Sequence, residues 1–155
     1  MIDVNIKAYH ILTKLFLKDF IKRDKGRILN VASIAGFMPG PYMACYYATK
    51  AYVLNLTLAI HEELKKAKSH VKISVFCPGP VETNFNNVAK VNFNVSSITP
   101  EYAAKYAIDN LFLDKLVIIP PNMYLTKALL KIAPMSLILL VNSNAQERVT
   151  ESSNK

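Results

Sequence analysis

Three short apolar runs, residues 27–32, 71–77 and 116–119, punctuate this chain, and successive runs are separated by stretches long enough for at least one helix. Antiparallel strands can be joined by a two-residue turn, whereas parallel neighbours need a crossover of a dozen residues or more, usually helical. The alternation therefore predicts an α/β chain with a doubly wound parallel sheet of about three strands and helices on both faces. In such sheets ligands bind beyond the carboxyl ends of the strands. Ser33 follows the first run and Pro78-Gly79 the second, so both fall where a ligand is expected.

The intervening segments carry helical signals. Ile6, Ile11, Leu12, Leu15, Phe16 and Phe20 recur at helical spacing over residues 3–22, with Lys25-Gly26 as the expected stop. A loop with two prolines and Gly40 spans 37–41, and a long helix is expected over 43–67. Residues 81–97 lack periodicity and are rich in Asn, which predicts a long loop with a short helical piece, of the kind that often covers a binding site. Thr99 suits an N-cap and Pro100 a first turn, for a helix reaching about residue 113. Asn122 is expected to cap a helix to 132, and Pro134 to start another ending near 141. The polar residues 142–155 are expected to form a fraying tail beyond a single domain of 1–141.

The chain has 155 residues, 52% of them hydrophobic, which suffices for one domain with a sizeable core and argues against disorder. The formal net charge is +8, but the basic residues are scattered. Their tightest group, Lys65, Lys66 and Lys68, falls at the end of a predicted helix, where cations complement its dipole. No recognition motif accompanies the charge, so nucleic acid is not an expected partner. Cys45 and Cys77 follow no metal or secretory pattern and are expected to be reduced, mostly buried thiols. His61-Glu62-Glu63 opens like a zinc-protease helix but lacks the second His one turn on, and no metal site is expected. Pro120, Pro121, Lys127, Lys131 and Pro134 break the apolar stretch 116–141, which leaves it too interrupted to span a bilayer. With no signal-peptide pattern at the start, the expected location is the cytoplasm.

Tyr46 and Lys50 stand four apart within the long predicted helix and so share one face. A phenol has a reference pKa of about 10, too high for easy ionisation at neutral pH. A neighbouring ammonium can lower a pKa by roughly 1–3 units, and a helix start near Pro41 would push the same way. The pair could make Tyr46 a general acid/base, although Tyr and Lys at this spacing also occur on many ordinary helices.

Together with their surroundings these residues resemble the short-chain dehydrogenase/reductase family. Its Tyr-x-x-x-Lys signature is matched by Tyr46 and Lys50. Its catalytic serine is matched by Ser33, within Asn30-Val31-Ala32-Ser33-Ile34-Ala35-Gly36, and its helix-borne asparagine by Asn5. Its Pro-Gly motif with a following threonine is matched by Pro78, Gly79, Val81 and Thr83. The resemblance covers residues 3–119 and weakens beyond them. It implies an NAD(P)-dependent oxidoreductase that reduces a carbonyl or oxidises an alcohol; the basic composition tilts the cofactor from NAD towards NADP. It further implies that Tyr46 exchanges a proton with the substrate oxygen and that Ser33 polarises that oxygen. Lys50 would lower the Tyr46 pKa and hold the nicotinamide ribose, and Asn5 would position a water linking Lys50 to solvent. The Val81 backbone and the Thr83 hydroxyl, beside Pro78 and Gly79, would grip the nicotinamide carboxamide.

The family's Gly-rich turn and its Asn-Asn-Ala-Gly segment have no counterpart here: the four glycines are Gly26, Gly36, Gly40 and Gly79. The chain resembles the catalytic, carboxyl-terminal half of a Rossmann-like dehydrogenase without the amino-terminal dinucleotide-binding half, and Met1 looks like an interior methionine of a longer protein. The first strand would then be a sheet edge, and the chain alone is expected to bind cofactor weakly and turn over little. The alternative is a non-catalytic fragment acting as an interaction or dimerisation module. Residues 3–22 and 43–67 match the family's dimer-forming helices, which makes a homo-oligomer the expected assembly. The apolar residues 124–141, with Lys127 and Lys131, are expected to wall a pocket for a small hydrophobic carbonyl or alcohol substrate; contact with a membrane surface is the less favoured use.

Overall fold

The computed structural model describes residues 1–84 and 97–152. Strands β1 (Arg27–Val31), β2 (Lys72–Phe76) and β3 (Val117–Ile118) form a parallel sheet in the order β1-β2-β3. Arg27 pairs with Lys72 and Val31 with Phe76 in the first ladder, and Val75 with Val117 in the second. Helix α1 (Tyr9–Lys22), preceded by a π-helical turn at Asp3–Ala8, leads into β1. A 3₁₀ turn (Ile34–Phe37) and α2 (Ala44–Lys66) join β1 to β2, and α3 (Pro100–Phe112) precedes β3. A 3₁₀ turn at Pro121–Met123 then opens into α4 (Tyr124–Ile132), followed by α5 (Met135–Ser152). The expected α/β architecture is present, and each strand lies within one residue of its predicted limits.

The central strand β2 is buried almost throughout, as its near-continuous apolar run requires. Ile73, Val75 and Cys77 face one side of the sheet, where Val75 and Cys77 pack with Val53 and Leu54 of α2. Ile73 joins Leu17 of α1 and Leu64 of α2 further along. On the other side Phe76 and Ile118 pack with Ala103, Ala107 and Leu111 of α3. One polar link crosses the core: buried Asn30, in β1, donates to Thr57 Oγ1 at 2.9 Å and accepts from Thr13 Oγ1 at 3.4 Å. Buried polar groups need such partners, and here they tie β1 to both α1 and α2.

The helix limits fall within a residue or two of expectation, except at the end of the last helix. α1 stops at Lys22, as expected, because Asp24 takes the left-handed conformation (φ 44°) and the Lys25 N–H returns to the Phe20 carbonyl. Thr99 caps α3, its side chain accepting from the Tyr102 N–H. α4 has no side-chain cap, since the 3₁₀ turn feeds straight into it, so Asn122 does not act as its cap. The last helix runs on through Ser152 instead of ending near 141; Asn142, on that continuation, donates to the Pro39 carbonyl at 2.7 Å. Cys77 is buried, but Cys45 is exposed. Of the loop expected over 81–97, Val81 forms a parallel bridge with Ile98, and residues 85–96 lie outside the described residues. No helix among the described residues is long and apolar enough to cross a membrane.

Candidate active site

The carboxyl ends of β1 and β2 are stitched together by backbone and one hydroxyl. The Pro78 carbonyl accepts from the Ile34 N–H at 2.9 Å and from Ser33 Oγ at 3.4 Å. Ser33 Oγ in turn accepts from the Ala35 N–H at 3.1 Å, which caps the short 3₁₀ turn and fixes the side chain at the strand exit. Gly36 then lets the chain pass close against α2: a Cβ there would stand 2.9 Å from the Lys50 carbonyl oxygen. That approach brings the first turns of α2 to the strand ends.

Tyr46 and Lys50 lie one turn apart on α2, both half-buried, above the buried residues Tyr47, Thr49, Val53 and Leu54. The Tyr46 side chain interacts with Ser33. Lys50 Nζ donates to the Val31 carbonyl at 3.2 Å and lies 5.8 Å from the Tyr46 ring centroid. Burial raises the Tyr46 phenol above its ordinary pKa, with the Ser33 contact pulling the other way. Burial also holds the Lys50 ammonium below its ordinary value. Lys50 is not among the groups that set the direction of the Tyr46 shift. The ammonium sits over the ring and bonds a carbonyl, and desolvation of the phenol dominates. Cys77, at the same end of β2, is pushed by burial up to about 12, so it stays a thiol at neutral pH.

Asn5 reaches this cluster indirectly. Its Nδ2 donates to Thr49 Oγ1 at 3.1 Å, and Thr49 Oγ1 donates to the Tyr46 carbonyl at 2.8 Å. Tyr9, which the sequence did not single out, is more directly placed. Its hydroxyl donates to the Val31 carbonyl at 3.1 Å, the acceptor that Lys50 also uses, and its ring centroid is 6.0 Å from Lys50 Nζ. The available signal was spacing, since Tyr9 stands one helical turn after Asn5.

Gly79 is pressed against the turn before α4: a Cβ there would stand 2.6 Å from Met123 Sδ. Val81 and Thr83 extend away from Pro78 and Gly79 with contacts of their own, Thr83 Oγ1 donating to the Val81 carbonyl at 3.4 Å. The structure thus gathers Asn5, Ser33, Tyr46, Lys50, Pro78 and Gly79 around the ends of β1 and β2. Val81 and Thr83 follow on the segment bridged to Ile98. Chemically, the cluster presents two hydroxyl groups able to meet one ligand oxygen, with a cation one turn away.

The chain is similar to known proteins. The chain is 38% identical over 88 residues to dehydrogenase/reductase SDR family member 4 of Bos taurus, covering 57% of this chain and 31% of that protein. It is 36% identical over 118 residues to a probable NADP-dependent dehydrogenase of Haemophilus influenzae, covering 70% of this chain and 46% of that protein. A solved short-chain dehydrogenase from Sphingobium yanoikuyae in complex with NADPH is similar with a TM-score of 0.72 at 25% identity, covering 83% of this chain and 50% of that one. The chain spans about a third to a half of the length of these relatives. A family model described as short chain dehydrogenase matches residues 1–92. With that match over more than half its length, the chain belongs to the short-chain dehydrogenase family.

Proposed function

We propose that this chain forms the catalytic half of an NAD(P)-dependent oxidoreductase that interconverts a carbonyl and an alcohol, with Tyr46 as general acid/base. The contact between the Tyr46 and Ser33 side chains, with Lys50 one turn along, is the observation that carries it. Two hydroxyls so placed can bracket one substrate oxygen. Ser33 holds and polarises that oxygen. Tyr46 hands it a proton during reduction and removes one during oxidation. Its raised pKa keeps the phenol protonated at neutral pH, which suits donation.

The surrounding residues fit a nicotinamide riboside. Lys50 spends one of its three N–H donors on the Val31 carbonyl, which leaves two for ribose hydroxyls. Pro78, Gly79, the Val81 backbone and Thr83 would hold the carboxamide. When bound, the nicotinamide supplies or accepts the hydride. NADP is favoured over NAD by the net charge of +8 and by the NADP-linked descriptions of two of the similar proteins. Asn5 and Thr49 act as positioning residues, tying the first turn of the chain to the Tyr46 backbone. A small hydrophobic carbonyl compound or alcohol is the proposed substrate.

The test is NADPH consumption with hydrophobic ketones by the protein that carries this chain, wild type against Tyr46→Phe. The variant is expected to lose about 10²–10⁴-fold in kcat with KM little changed. Undiminished turnover by Tyr46→Phe overturns the assignment. The 155-residue chain by itself is expected to turn over little, and robust saturable turnover by it would contradict the half-enzyme interpretation.

A second use is favoured by one observation on α1. Ile11, Leu12, Leu15 and Phe16 share a face and are all exposed, as a self-associating helix pair would require. Concentration-dependent sedimentation, without any change in nicotinamide fluorescence on mixing with NADPH, would favour a dimerisation module built on α1 and α2.

A further inference from the structure

Helix α4 turns its apolar side outward. Leu125, Leu129 and Ile132 recur at helical spacing on one face with Tyr124, and all four are exposed, Leu125 at 72% and Ile132 at 81%. No residue of α4 is buried. Lys127, by contrast, reaches back to the chain, its Nζ 5.7 Å from the Phe37 ring centroid. Exposure continues into α5 at Met135 and Leu140. A surface helix ordinarily hides its apolar stripe and shows its charges, so this inverted arrangement calls for an apolar occupant outside the chain.

Charge selects the occupant. From Leu116 through Gln146 there are two lysines, Lys127 turned towards the chain and Lys131 exposed on α4, and no acidic residue, within a chain of net charge +8. A second copy on this face would set like charges together, which is disfavoured. A membrane surface with anionic headgroups accepts both the apolar stripe and the exposed Lys131. We propose that the outward face of α4 and the start of α5 docks on an anionic lipid surface, lying in the interface without crossing it. The contacts of Lys127 with Phe37 and of Asn142 with the Pro39 carbonyl set these helices beside the strand ends that bear Ser33. A docked bilayer would therefore lie next to the mouth of the candidate site, where a lipophilic compound could pass from one to the other. Lipid docking stands apart from the oxidoreductase proposal, because binding requires no turnover.

The test is partition of the 155-residue chain onto vesicles of phosphatidylcholine with and without phosphatidylserine, read by flotation. Binding is expected to be about fivefold or more stronger with phosphatidylserine and to weaken as salt is added. Joint replacement Leu125→Ser, Leu129→Ser and Ile132→Ser is expected to weaken it about tenfold or more. Lys131→Glu is expected to weaken it about fivefold. Circular dichroism checks that the variants fold; if the triple variant loses helix, Lys131→Glu and the salt dependence decide. Failure to bind phosphatidylserine vesicles, or unchanged binding by a folded triple variant and by Lys131→Glu, overturns the proposal. So does self-association that the triple variant abolishes in the absence of lipid binding.

Discussion

Half-burial strips the Lys50 ammonium of part of its hydration, and the Val31 carbonyl and the nearby rings of Tyr9 and Tyr46 replace only some of it. The pKa below the ordinary lysine value records that imbalance. The folded chain thus binds this proton less tightly than the unfolded chain. The resulting penalty is fully present below the folded pKa and is relieved as pH rises through it towards the unfolded value. Lys50→Met is therefore expected to be more stable than wild type at neutral pH, with an advantage that shrinks on approaching about pH 10. Urea denaturation of both proteins at the two pH values measures this, and a variant no more stable at neutral pH would refute it. A group kept against the interest of stability is what a working site requires. The Tyr46–Lys50 pair was legible in the sequence because helical spacing alone puts them on one face. The direction of the Tyr46 shift was not, because it depends on burial by distant elements. Tyr9 was missed because its partner is a carbonyl across the fold, 22 residues away.

Helices α1, α2 and α3 all end on a left-handed residue that is not glycine: Asp24, Lys68 (φ 55°) and Asp114 (φ 56°). In each case the next N–H returns to a carbonyl in the last turn, from Lys25 to Phe20, from Ser69 to Leu64 and from Lys115 to Asn110. A side chain in this conformation costs roughly 1–2 kcal/mol that glycine avoids, partly offset by the greater entropy glycine loses on folding. Exposed Lys68, whose own side chain makes no ion pair among the described residues, is the cleanest place to see the difference. Lys68→Gly is expected to stabilise the chain by about 0.5–1 kcal/mol, read as a higher urea midpoint at unchanged slope; a lower midpoint would contradict it. The ends of α1, α2 and α3 were nonetheless legible in the sequence to within a residue, and only the end of α5 was not. Apolar periodicity marks the body of α1, whereas its stop depends on the conformation of Asp24, two residues before the glycine that drew attention. α5 overran its expected end for a related reason: the polar composition after 141 suggests fraying, while Asn142 finds its carbonyl partner 103 residues earlier in the chain.

The parallel order of the sheet followed from the spacing of three apolar runs, and so did the consequence that β1 lies at an edge. The Ala32 N–H reaches the Phe76 carbonyl at 2.8 Å, and the two-residue period of a parallel ladder turns the Ile28 and Asn30 amides towards β2 as well. The Leu29 and Val31 amides point the other way, where the three-stranded sheet stops. On that side Tyr9 and Lys50 cover the Val31 carbonyl, so among the described residues the edge is capped at the end nearest the candidate site. The similar dehydrogenases are two to three times as long as the stretch this chain covers in them, and an open edge is a template for a further strand. Amide hydrogen exchange on the dilute chain is therefore expected to alternate along β1, with Leu29 and Val31 exchanging about tenfold or more faster than Ile28 and Asn30. If raising the concentration protects Leu29 and Val31 selectively, copies of the chain are pairing through this edge. Equal protection of all four amides at high dilution would instead mean that another part of the same chain already covers it, and the sheet would have to be redrawn.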